Sequence, residues 1–372
     1  MRELNQGGIE RDVARTAIHL DRNRFAPHVA SYHNHGMRFE ELRRAGIPFL
    51  HLPVKSLTSP ASLAHAWRLC RYIRSHRIQL VHAWDTTAVF VLPLAKTIRV
   101  PAVLSSVLGS RQLLDKRSHR LWRLADRFAD GFVVNCEAMR RHLTEDEGVA
   151  GVPIDLLYNG VDTKEFFPQP GPLPIPVAGA SLVIGAVCAL RPEKALPLLQ
   201  EAFSKVKHLR PGMKLLIVGS GAELPRLEDN ATRLGITLES VFVPATPEVP
   251  KYMRAIDIFV LCSSSEAFAN ALLEAMACGC ATIGSRVGGT PEMIGEDGQR
   301  GLLFPSGDAG ALAERLARLI QDDDFRRRLG RQASSFAHGE LSLEHNIRRT
   351  MEVYTGILRR KGSPQKTEYN VR

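Results

Sequence analysis

Short β-rich apolar runs alternate with amphipathic helical stretches along nearly the whole chain, the pattern of parallel sheets wrapped by helices. In the first half, runs read as strands cover 28–32, 47–52, 79–83, 102–107, 131–134 and 154–158, with helical stretches such as 62–75, 116–129 and 137–146 between them. Five prolines in the ten residues 167–176 then exclude helix and central strand, because each fixes φ and removes a backbone donor. The alternation restarts with strands at 182–189, 214–218, 241–244, 256–261, 281–284 and 302–304. Helices are expected near 195–208, 222–234, 270–278, 308–321 and 342–358. The fold expected is α/β, two Rossmann-like domains of similar size, divided as residues 1–168 and 169–342. A last helix at about 343–360 is expected to cross back to the first domain, ahead of a basic, disordered tail at 361–372.

The first domain begins oddly. A doubly wound sheet opens with a central strand that delivers the chain to its first ligand-binding loop. Here Gly7-Gly8-Ile9-Glu10 and a helical stretch at 11–20 come almost at once. The first sheet is therefore expected to be gapped or closed by another segment, with the Gly7-Gly8 loop poorly anchored.

The net charge of +10 is uneven: +7 over residues 1–168, −1 over 169–358 and +4 beyond. The first half is thus suited to an acidic partner, and no aromatic-basic reader motif points to nucleic acid. Six cysteines without C-x-x-C spacing read as buried, reduced thiols. No run of about 18 apolar residues suggests a membrane span, and the opening residues do not read as a signal peptide. The expected setting is the cytoplasm, with at most peripheral contact at the inner face of the cytoplasmic membrane. The helical stretch carrying Lys116, Arg117, Arg120, Arg123 and Arg127 beside Leu121, Trp122 and Leu124 is either a surface helix that packs its leucines or a contact for anionic lipid.

The densest chemical signal runs from Ser263 to Gly279. A buried strand ends in Ser263-Ser264-Ser265, a loop carries Glu266, and a helix capped by Asn270 carries Glu274. Strand ends of α/β sheets and helix N-termini are where polar and anionic ligands bind, so both glutamates can serve one elongated ligand. Arg191 and Lys194 follow another strand and can clamp a diphosphate. Gly219-Ser220-Gly221 reads as a structural turn. Asp322-Asp323-Asp324 opens a helix and reads as a cap, so no metal site is expected. His82, where a strand of the first domain meets the cleft, is packed, an acceptor or sugar contact, or catalytic, and Arg111 is a candidate for phosphate, acceptor or sugar.

Taken in order, Gly7-Gly8-x-Glu10, Tyr158-Asn-Gly-Val-Asp162, Arg191-x-x-Lys194, Gly219-x-Gly221, the pair Glu266/Glu274 and Val287-Gly-Gly-Thr-Pro-Glu292 resemble the family-4 retaining glycosyltransferases of the GT-B fold. That resemblance covers most of the chain. It implies two domains facing across a cleft and transfer of a hexose from a UDP- or GDP-linked donor, with retention and without a metal or other cofactor. Arg191 and Lys194 would hold the donor diphosphate, Glu266 the transferred sugar and Glu274 the ribose. Backbone N–H groups of Phe268, Ala269, Asn270, Ala271 and Leu272 would meet sugar and phosphate, and Gly8 would close on the phosphates. Base contacts would lie near 243–246. The acceptor would be a glycan or lipid-linked molecule in cell-surface polysaccharide or glycolipid synthesis. Ala267 and Ala269 stand where the family places glycine, which is tolerable only if neither backbone needs positive φ. A donor-binding but inactive homologue and a nucleotide-sugar epimerase on the same fold are the alternatives.

Overall fold

The computed structural model describes residues 1–362 except 6, 55, 57, 58, 85, 86, 110, 112–114, 170 and 172. Most of the basic tail therefore lies outside the described residues. The chain forms two compact units, Met1–Tyr158 with the segment from Asn346 onward, and Asn159–His345.

Unit 1 runs α1 (Gly8–His19), β1 (Val29–Ser31), α2 (Met37–Arg44), β2 (Phe49–His51), α3 (Ala61–Ser75), β3 (Leu80–Trp84), α4 (Ala88–Thr97), β4 (Ala102–Val107), α5 (Lys116–Asp126), β5 (Gly131–Val134), α6 (Glu137–Arg141) and β6 (Ile154–Leu156). Its strands fall into two separate parallel sheets, β1-β2 and β3-β4-β5-β6. The expected gap lies between β1 and β3. Gly7 and Gly8 are exposed at the start of α1, where the Gly7 carbonyl takes that helix's first bond, from the Arg11 N–H at 3.2 Å, and Leu4 just before them is fully buried.

Unit 2 runs β7 (Leu182–Val187), α7 (Leu196–Val206), β8 (Met213–Val218), α8 (Leu224–Arg233), β9 (Ser240–Val243), α9 (Val249–Arg254), β10 (Ile258–Leu261), α10 (Asn270–Ala277), β11 (Ala281–Ser285), α11 (Thr290–Ile294), β12 (Leu302–Phe304), α12 (Ala309–Gln321) and α13 (Asp323–Gly339). Its six parallel strands lie in the order β12-β11-β10-β7-β8-β9. Helical spacing puts Leu196, Leu199, Phe203 and Val206 on one face of α7 and Leu312, Leu316 and Leu319 on one face of α12. Both faces are buried with β7, β8 and β10 in a single core. Each such side chain contributes about 1.5–3 kcal/mol by leaving water.

α14 (Leu343–Arg360) starts in unit 2 and ends in unit 1, where Val353, Tyr354 and Ile357 pack against Ala102, Leu104 and Val133. The proline run is not the boundary between the units; the chain changes unit at Tyr158. Residues 159–168 belong to unit 2 because Val161 bridges to Ser342, Phe166 is buried, and Pro168 lies against Gly279.

Candidate functional site

The strand order of unit 2 reverses between β7 and β10: chain order runs outward through β8 and β9 on one side and through β11 and β12 on the other. Loops leaving the C-terminal ends of two such neighbours diverge and leave a crevice. The loop after β7 carries Arg191 and Lys194, and the loop after β10 carries Glu266. The two loops are tied together, since the Ser264 N–H donates to the Glu193 carbonyl at 2.8 Å.

Within this crevice the Lys194 ammonium donates to Glu266 Oε1, which Ser263 Oγ also approaches at 3.4 Å. Arg191 does not join them. Its side chain is 69 % exposed, with Glu193 at 3.9 Å. Glu274 is 5 % exposed in the second turn of α10. Asn270 is not the cap of that helix. Ala269 is, with no side-chain bond to the helix amides, while Asn270 Oδ1 accepts from Asn159 Nδ2 at 2.9 Å. The N-terminal turn of α10, holding Asn270, Ala271 and Leu272 after Phe268 and Ala269, thus lacks a side-chain cap and favours an anion.

Three close approaches shape the rim. Gly288, at φ +50°, would drive a Cβ to 1.8 Å from the Glu266 carbonyl, and the Gly289 N–H bonds to the Ala267 carbonyl. The turn at 287–292 therefore presses on the loop that carries Glu266. A Cβ at Gly219 would meet the Cys188 carbonyl at 1.8 Å, and one at Gly221 the Leu190 carbonyl at 2.2 Å, so this glycine turn supports the loop after β7. Neither Ala267 nor Ala269 adopts positive φ, which answers the question raised by the missing glycines. Ala195 does, at φ 48° and ψ 36°, directly after Lys194.

The unit 1 candidates are placed differently. Arg111 is 3 % exposed; its guanidinium pairs with both Asp126 oxygens and lies 4.5 Å from the Trp122 ring centroid. Those bonds commit it to holding α5, so the phosphate, acceptor or sugar role is withdrawn. His82 adopts the packed alternative: one ring nitrogen bonds Tyr354 Oη and the other Ser106 Oγ, both at 2.7 Å. Burial lowers its pKa to about 3, so the ring is neutral and held on both sides. Gly8 is the first residue of α1. Asp322 caps α13, its carboxylate accepting from the Phe325 N–H at 2.8 Å. All six cysteines are free, and burial pushes the Cys188 thiol up to about 11 and Cys262 and Cys278 to about 12, as for packed thiols. The Lys194–Glu266 pairing and the strain at Ala195 carry no signal in the sequence, since both depend on where β7 and β10 bring their loops.

Two family models match the chain: Glycosyltransferase Family 4 over residues 6–165 and Glycosyl transferases group 1 over residues 176–336. Among curated proteins, the N-acetyl-alpha-D-glucosaminyl L-malate synthase of Bacillus anthracis is 28 % identical over 209 residues, covering 55 % of this chain and 54 % of that protein. The D-inositol 3-phosphate glycosyltransferase of Nocardia farcinica is 28 % identical over 294 residues, covering 76 % and 62 %. The chain thus spans under two thirds of the length of these relatives. Among solved structures, Anabaena HepE in complex with UDP superposes with a TM-score of 0.83 at 20 % identity, covering 95 % of this chain and 98 % of that one. A glycosyltransferase from Rickettsia africae gives 0.83 at 20 %, covering 96 % and 97 %. These likenesses show the fold, two Rossmann-like domains of the GT-B class.

Proposed function

This chain belongs to the family-4 glycosyltransferases, and from that premise we propose that it transfers a hexose from a UDP- or GDP-linked donor to a glycan or lipid-linked acceptor. The observation that carries the reading is the Lys194–Glu266 pair at the strand-order reversal, beside the uncapped N-terminus of α10. A diphosphate seated there meets a cation and a helix N-terminus. Both oppose the negative charge that grows as the sugar–phosphate bond breaks, and both are in place beforehand. Arg191, exposed, turns to the same phosphates when donor is bound. Glu266, released from Lys194 by the arriving diphosphate, accepts from sugar hydroxyls, and Glu274 accepts from the ribose. Retention of configuration and independence of metal follow from the resemblance and belong to the same proposal.

Unit 1, with the positive balance of the first half, takes the acceptor. On α5 the exposed residues are Lys116, Arg117, Arg120, Leu121, Arg123 and Leu124, while Trp122 and Ala125 turn inward. Leu121 and Leu124 are 44 % and 53 % exposed, so about half of each apolar side chain stays open to solvent, which favours the reading of this helix as a lipid contact over that of a plain surface helix. Among the described residues no helix is long and apolar enough to cross a membrane. A role in cell-surface glycan or glycolipid synthesis at the inner face of the cytoplasmic membrane fits that surface.

The test is a thermal-shift panel of UDP, GDP and their sugar derivatives, followed by acceptor-dependent release of nucleoside diphosphate. Ligand at 100 times its Kd stabilises by about 2.7 kcal/mol, an easily read shift. Binding without release for any acceptor, with the bound nucleotide sugar unchanged, would leave the inactive-homologue reading, and conversion of the nucleotide sugar to its epimer without net release of nucleotide the epimerase reading. No shift with any nucleotide would overturn the donor site.

A further inference from the structure

α3 carries an apolar and basic stripe on its outer side. Its buried residues, Ser62, Leu69 and Ile73, hold one side of the helix against unit 1. Steps of four place Leu63, Trp67 and Arg71 along the other side, with Arg74 beside them. Leu63 is 76 % exposed and Trp67 63 %. Trp84 is half-buried and Trp122 buried, so Trp67 is the one tryptophan that stands in solvent.

The charge around this stripe has one sign. Arg68, Arg71 and Arg74 are exposed, and the Arg71 guanidinium lies 5.3 Å from the Trp67 ring centroid. Residues 42–84 contain seven Lys and Arg and no Asp or Glu. On other helices exposed arginines meet a carboxylate one turn away, as Arg43 meets Glu40, Arg327 meets Asp324 and Arg349 meets Glu352. α3 has no carboxylate to offer its arginines, so an anionic partner gains their attraction without breaking ion pairs.

We propose that the outer stripe of α3, Leu63, Trp67, Arg68, Arg71 and Arg74, docks on an anionic lipid bilayer, with Trp67 as its anchor. The stripe is convex, which suits a broad yielding surface rather than a small ligand. Leu63 and the Trp67 ring enter the boundary of headgroups and acyl chains, where the indole N–H still finds a partner, and the arginines meet lipid phosphates. A nucleic acid would use the arginines and the ring but would leave Leu63 in water. α4 packs against both α3 and α5, so the two basic helices flank it. The α3 face thus adds to the α5 contact and rests on the same reading of unit 1 as the membrane-facing unit.

The experiment uses the full chain and vesicles of phosphatidylcholine, alone or mixed with phosphatidylglycerol. Sedimentation is read together with quenching of tryptophan emission by brominated acyl chains. Trp67→Gln should weaken binding to the mixed vesicles about tenfold, the scale of one large side chain returned to water, with the melting temperature lowered by no more than a few degrees. Trp67→Phe should bind within about threefold of the parent yet lose the quenching, because the other two tryptophans are not on this face. Arg68→Gln, Arg71→Gln and Arg74→Gln together should cut the preference for phosphatidylglycerol about fivefold or more. Quenching that persists in Trp67→Phe would overturn the proposal, as would Trp67→Gln binding within twofold of the parent. Loss of binding in Leu121→Gln with Leu124→Gln but not in Trp67→Gln would leave the α5 contact standing and remove α3 from it. Self-association of the parent, or its retention on single-stranded RNA, abolished by Trp67→Gln with no effect on vesicle binding, would give the face to another partner and overturn the proposal as well.

Discussion

The Lys194 ammonium and the Glu266 carboxylate, 72 residues apart, are held against each other by the adjacency of β7 and β10. Neither is fully exposed, at 20 % and 17 % of the side chain. Removing one partner therefore leaves a partly desolvated charge behind. Lys194→Ala and Glu266→Gln should each destabilise the free protein, and the double variant should lose less than their sum, with a coupling of about 1 kcal/mol or more. Urea unfolding of the four proteins measures it, and additive losses would separate the two residues. Lys194→Ala should also lose about 2–3 kcal/mol of transition-state stabilisation in kcat/KM, as removal of a preorganised donor does. Activity within threefold of the parent would remove Lys194 from the chemistry.

On the proposed reading the two glutamates divide the donor between them. Glu274→Ala should then weaken binding of bare nucleoside diphosphate, whose ribose it would meet. Glu266→Ala should leave that binding equal or tighter, because Lys194 is then unpaired, while sugar transfer falls. Calorimetry with UDP or GDP against turnover decides, and the reverse pattern would exchange the two roles.

The exposed basic face of α5 gives a surface prediction. Leu121→Gln with Leu124→Gln should reduce sedimentation with vesicles containing phosphatidylglycerol severalfold while lowering the melting temperature by no more than a few degrees, since both leucines are about half exposed. Binding of the parent should fall with salt. A parent protein that ignores such vesicles at low salt would leave α5 a plain surface helix.

What the sequence disclosed and what it concealed divide along a physical line. Strands buried on both faces, such as Ala102–Val107, Gly131–Val134 and Leu302–Phe304, read to the residue because they are runs of apolar and small side chains, with Ser105 and Ser106 the polar members. Half-covered ends such as 28–32 shrink to Val29–Ser31. α4 is unannounced, since Pro93 speaks against a helix interior, yet burial of Ala88, Phe90, Leu92 and Ala95 outweighs it. Asn270 looks like a cap because asparagine usually is one, but Asn159 engages its carbonyl. Arg111 looks like an anion clamp because Asp126 is not its neighbour in sequence. Motif spacing names residues; only the strand order says which of them meet.

Ala195 carries a left-handed backbone between Lys194 and α7. A Cβ there costs about 1 kcal/mol, and glycine removes that strain while adding a fraction of it back as chain entropy. Ala195→Gly should leave stability unchanged or raise it by up to about 1 kcal/mol, and Ala195→Val should lower it by more than that. The urea midpoint reads both, and a Gly variant less stable by about 1 kcal/mol would mean the Cβ makes a contact that outweighs its strain.

His82 makes unit 1 sensitive to acid. Its pKa, lowered to about 3 in the fold, rises to 6.5 on unfolding. Above pH 6.5 both states are neutral and the packing of the ring against Tyr354 and Ser106 is fully available. Below it the unfolded chain takes up a proton that the folded chain refuses, so stability falls by about 1.4 kcal/mol per pH unit toward pH 3. His28, also lowered by burial and by His76, adds a loss of the same sign. Between pH 6.5 and 5 few carboxylates titrate, so the slope there belongs to histidine. His82→Gln, which keeps a polar group between the two hydroxyls, should flatten that slope while lowering stability at pH 7.5. Urea unfolding at pH 7.5, 6.0 and 5.0 measures both, and a variant with the parent's slope would show that His82 is protonated in the fold as readily as in the unfolded chain.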